Sequence, residues 1–67
     1  MTTETKDIYD ALLAGNKSLD SGFRLIIAAK YMAEDPAVRL EIIHILQDLV
    51  TVEENLISLM LRLNNEI

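Results

Sequence analysis

From Val38 onward, alternating steps of four and three residues land on Val38, Ile42, Ile45, Leu49, Val52, Leu56, Leu59 and Leu63, and every one is aliphatic. That spacing keeps one face of an α-helix apolar, whereas a half-buried strand alternates every second residue. Asp35-Pro36 supplies a start: the aspartate can accept from free backbone N–H groups, and proline suits a first helical turn. No glycine or proline follows Pro36. The pattern therefore predicts one helix over about 36–65, ~45 Å long at ~1.5 Å per residue. A second stripe, Ile43, Leu46, Val50, Ile57 and Met60, runs beside the first and is broken by Glu53. The apolar face is wider than one partner helix requires.

The same stepping in the first half gives Ile8, Leu12, Gly15, Leu19, Gly22, Ile26, Ala29 and Ala33. Folded back about Asp35–Pro36, this frame sets small residues against bulky ones: Gly22 opposes Leu49 and Gly15 opposes Leu56. Close helix approach favours that complementarity. A first helix over about 4–34 and a turn at about 34–36 follow. Local signals inside "LLAGNKSLDSGF" oppose a continuous helix, because Gly15 can end one and Ser18 can cap another. Two glycines plus Asn16, Ser18, Asp20 and Ser21 cost roughly 4 kcal/mol of helix propensity relative to alanine. Burying Ile8, Leu12 and Leu19 returns roughly 1.5–3 kcal/mol each. Both outcomes stay open here: a continuous or kinked helix, or a break near residues 15–18. The first sixteen residues are expected to be the least protected.

The expected fold is all-α, an antiparallel helical hairpin occupying residues 1–67 as a single domain. At 67 residues, a lone core is marginal. The chain has no cysteine and one histidine, His44; a disulfide or a structural zinc is not expected to support it. With 51% hydrophobic residues, oligomerisation is the remaining support. Two hairpins packed as a homodimeric four-helix bundle would bury Phe23, Ile43, Leu46, Leu49, Val50, Leu56, Ile57 and Met60 as core and dimer contacts.

The net charge is −5, spread evenly: −2 over residues 1–35 and −3 over 36–67. There is no basic tail for nucleic acid or anionic lipid. Arg24, Lys30, Asp48, Glu53 and Arg62 interrupt every apolar run that might span a membrane. The opening "MTTETKD" lacks the basic start and apolar core of a secretion signal, so a cytoplasmic protein is expected.

No motif for catalysis is present, and no cofactor, metal or small-molecule substrate is expected. His44, with Glu41 three residues back and Asp48 four residues on, is the nearest approach to a metal or acid–base row. Helix surfaces bring such neighbours together routinely, and no nucleophile or oxyanion donor accompanies them. Glu53 reads as a carboxylate awaiting a partner's arginine, as one side of an intersubunit pair with Lys30 or Arg24, or as a charge that snorkels at the rim. Along the outer line of the first helix, Leu13, Ile27 and Tyr31 sit among the charges Lys17 and Arg24. Apolar groups rimmed by charge mark a protein partner's site, although Ile27 can equally complete the dimer core. Leu40 and Leu61 raise the same question on the second helix.

The leading expectation is therefore a small non-enzymatic regulator or adaptor that binds another protein through helix faces and modulates or inhibits it. Phage- or plasmid-type antagonists of transcription factors are of this size and shape. An alternative is RNA or DNA binding: the hairpin dimer resembles the Rop family of plasmid proteins in general shape, without sharing a residue motif. A structural subunit of a larger assembly is the third.

Overall fold

The computed structural model describes residues 3–66 and forms an antiparallel pair of helices, α1 (Thr3–Met32) and α2 (Pro36–Glu66). Met1, Thr2 and Ile67, the ends of the expected 1–67 domain, lie outside the described residues. The molecule is a rod of 50 × 15 × 12 Å. Among the described residues, no helix is long and apolar enough to cross a membrane.

The turn is built by its own polar groups. Asp35 Oδ1 accepts the N–H of Ala37 at 2.9 Å, and the Asp35 carbonyl accepts the N–H of Arg39 at 3.0 Å. Asp35 is thus the N-cap of α2, with Pro36 in the first helical position, where its missing N–H costs nothing. At the other side, Ala33 still donates to Ala29 at 3.0 Å, so the ladder of α1 reaches one residue past Met32. The Arg39 side chain donates back to the Ala33 carbonyl at 2.6 Å, satisfying an acceptor that the end of α1 leaves free. No described residue has positive φ; the chain reverses without a left-handed residue.

α1 is continuous through Gly15–Gly22. No break occurs at residues 15–18, because Leu12 before the weak stretch and Leu19 and Ile26 beyond it share one register on α2. Tertiary burial outweighs the local helix-stop signals.

The register differs from the sequence expectation by one position on alternate contacts. On α1 the half-buried series is Tyr9, Leu12, Asn16, Leu19, Phe23, Ile26, Lys30 and Ala33. On α2 it is Ile42, Leu46, Leu49, Glu53, Leu56, Met60 and Leu63, with Leu46 and Met60 buried. Leu12, Leu19, Ile26, Ala33, Ile42, Leu49, Leu56 and Leu63 belong to both registers, and Gly22 and Leu59 of the expected seam stay half-buried. Ile8, Gly15 and Ala29 on one helix, and Val38, Ile45 and Val52 on the other, turn out to be exposed. Each helix is rotated by about 50° from the expected seam, half of the ~100° between successive residues.

The cause is side-chain size. On α1 the rotation exchanges Gly15, Gly22 and Ala29 for Asn16, Phe23 and Lys30. Phe23 alone buries a large group worth about 1.5–3 kcal/mol where a glycine supplies little. On α2, Leu46 and Met60 take the places of Ile45 and Leu59, groups of similar size. The glycines are consequently not notches for Leu49 and Leu56: a methyl group built on Gly15 or Gly22 meets nothing within 4 Å. The same rotation carries Asn16, Lys30 and Glu53 to the seam's edge.

Candidate partner-binding faces

An antiparallel seam has two flanks, and the register fixes which residues share each. Leu13, Asp20 and Ile27 each follow a seam residue of α1 by one, and Ile43, Val50 and Ile57 do the same on α2. In an antiparallel pair these two lines lie on one side. Asp20 and Ile57 indeed line one groove, together with Asn16, Lys17, Ser21 and Glu53, of about 430 Å³. This is the groove face. Ile8, Gly15, Gly22 and Ala29 each precede a seam residue of α1, and Ile45, Val52 and Leu59 do so on α2, with Val38 one heptad before Ile45 on the same line. These lines form the opposite, smooth face, and neither contains a charged or polar side chain.

The groove face combines apolar side chains with charged ones. Val50 and Ile57 are exposed, and Leu13, Ile27 and Ile43 are half-buried beside them. Glu53 enters from the seam, and its Oε1 is shut off from solvent without a hydrogen-bond partner in the chain. A carboxylate oxygen withdrawn from water and left unbonded carries a penalty that an incoming donor relieves. Lys17 stands across the same groove and makes its rim partly cationic.

The partner-binding residues expected from sequence divide. Lys17, Leu13 and Ile27 belong to this face, but Leu13 and Ile27 flank the seam and are not on the outer line. Tyr31 is exposed, with the Lys30 ammonium 4.8 Å from its ring centroid. Arg24 faces outward and pairs with Asp20 at 3.3 Å. Of the expected core, Leu46 and Met60 are buried, Phe23, Ile43, Leu49 and Leu56 half-buried, and Val50 and Ile57 exposed on the hairpin. Within the chain, Glu53 pairs with neither Lys30 nor Arg24.

Most cations are occupied. Lys6 donates to Asp10 at 2.8 Å, and that bond, reinforced by the Asp10 charge, holds the Lys6 pKa above its usual value. With Arg24 on Asp20, Lys30 over Tyr31 and Arg39 on a backbone carbonyl, four of the six cations have local partners. Glu41, His44 and Asp48 are all exposed on α2, and no group of three or more His, Asp or Glu among the described residues is arranged to hold a metal ion.

Asn16 and the smooth face are what the sequence reading missed. Phe23 and Met60 held the signal: both fit a four–three frame only when Asn16 and Glu53 are admitted to it. No protein-family profile, curated protein or solved structure matches this chain.

Proposed function

We propose that this chain is a small cytoplasmic, non-enzymatic regulator that binds another protein through its helix faces and occludes the partner's own interface. One observation supports the reading above others: a groove lined by Ile57 among the polar side chains Asn16, Lys17, Asp20 and Ser21, flanked by the apolar line of Ile43 and Val50, that ends on the unbonded carboxylate oxygen of Glu53. A partner helix with apolar residues at helical spacing and one arginine fits it, since the guanidinium supplies the donor Glu53 lacks. Homodimerisation belongs to the same reading. Only Leu46 and Met60 are buried among the described residues, while eleven large hydrophobic side chains are 40% exposed or more. A chain this poor in core gains most by pairing.

The test is affinity purification from the native host with wild-type protein and two groove variants, Ile57→Lys and Glu53→Leu. A protein recovered by wild type and lost by both variants supports the reading. Recovery of RNA or DNA, released steeply as salt rises, would replace it with the nucleic-acid alternative. Engagement of four cations within the chain weighs against that alternative, because phosphate binding depends on clustered free cations.

A further inference from the structure

We infer that the smooth face is the surface on which a second copy of this chain docks, with the turns of both hairpins at the same end of a four-helix bundle. The inference rests on the pairing included in the proposed function and specifies the face and the arrangement.

Area comes first. The chain exposes 5051 Å², whereas a compact monomer of 7.6 kDa exposes roughly 4,300 Å² by the usual size scaling. The excess, about 750 Å², is close to the ~800 Å² per partner that a standard protein interface covers.

Charge then selects the face. Each copy carries −5, so two copies associate best where acids stay away from one another. A two-fold axis across the groove face would set Asp20 and Glu53 of one copy near those of the other. The smooth face brings no charges together, and it lacks the anchoring polar groups by which an unrelated partner would be recognised.

Shape selects the arrangement. The α1 side is nearly flat at Gly15 and Gly22, where nothing lies within 4 Å of an added methyl group, and the α2 side is a ridge that includes Ile45 and Val52, each about half exposed. A two-fold axis parallel to the rod lays the ridge of each copy along the glycine line of the other and keeps both turns at one end. An axis across the rod sets ridge against ridge and glycine line against glycine line, leaving a gap. Both lines repeat every seven residues, a pitch of about 10.5 Å, so ridge side chains fall into successive gaps along the glycine line. A contact in which i meets j and j meets i is what a two-fold dimer requires.

The experiment uses sedimentation velocity on the full chain, with circular dichroism of each variant. Val52→Lys and Gly22→Leu alter the smooth face, and Ile57→Lys is the matched change on the groove face. The wild type is expected to sediment as a dimer at micromolar concentration. Val52→Lys should weaken association by about 100-fold or more, because it places a charge in an apolar contact. Ile57→Lys should leave association unchanged. Gly22→Leu should raise helicity yet weaken pairing, a combination that misfolding does not produce. In the cysteine-free chain, nitroxide labels on Glu34→Cys should lie close together in the dimer. Labels separated by something near the 50 Å length of the rod would overturn the arrangement. A dimer lost with Ile57→Lys and kept with Val52→Lys would overturn the face while leaving the pairing intact. A wild-type monomer throughout would remove the pairing itself.

Discussion

Glu53 is the residue at which stability and the proposed partner binding part company. Its carboxylate interrupts a run of apolar seam positions from Leu46 and Leu49 to Leu56 and Met60, and one of its oxygens is withdrawn from water without a bond. Glu53→Leu should therefore stabilise the hairpin by about 1 kcal/mol, a Tm rise of about 4–8 °C for a domain of this size. The same change should abolish partner capture, a trade-off expected where a buried polar group is kept for binding. The glycines give a second residue-scale prediction. Both lie in helix with nothing to obstruct a Cβ. Gly15→Ala should therefore add about 1 kcal/mol to the hairpin, read by thermal melting in dilute solution. Tight packing of Gly15 against Leu56 would reverse the sign. At this scale the sequence was half legible. The break that Glu53 makes in the second stripe was visible, but its place in the seam was not, because Val38, Ile45, Val52 and Leu59 make an equally regular aliphatic frame one position away.

The two helices were far easier to read than their phase. Asp35-Pro36 marked the start of α2, and the unbroken aliphatic spacing marked its length; both stand in the structure. The continuity of α1 depended on α2, which is why its own residues left a break near Gly15 open. Phase depended on size in α1, where Phe23 displaces Gly22 from the seam because it buries more, and α2 follows with Leu46 and Met60 in place of Ile45 and Leu59. Two substitutions test this directly. In dilute solution Leu46→Ala should cost about 2–4 kcal/mol, as for a buried leucine, while Ile45→Ala, next to it, should cost less than about 1 kcal/mol. Comparable losses at both positions would restore the original register. At the turn, removing the cap with Asp35→Ala should cost about 1 kcal/mol, measured by urea unfolding with an unchanged slope.

The whole molecule is a rod only two helices thick, and its surface decides its behaviour more than its core does. Both apolar faces follow from one fact: each helix carries a stripe wider than a single neighbour covers. That width was legible in the sequence. How it divides into a charge-free face and a charge-rimmed groove was not, because the division follows from the 50° rotation of the seam. The rotation also fixes how the proposed dimer should respond to salt. Two chains of charge −5 repel at long range, and added salt screens that repulsion over about 10 Å at 0.1 M. An interface without charged side chains loses nothing to the same screening. Pairing should therefore tighten as salt rises, and Tm at fixed protein concentration should rise with it, since stability is linked to association. Nucleic-acid binding has the opposite sign, because it draws on counterion release. A salt titration of the sedimentation coefficient, run beside one of Tm, separates the two: a dimer that falls apart as salt rises would place ion pairs in the interface and rule out the smooth face.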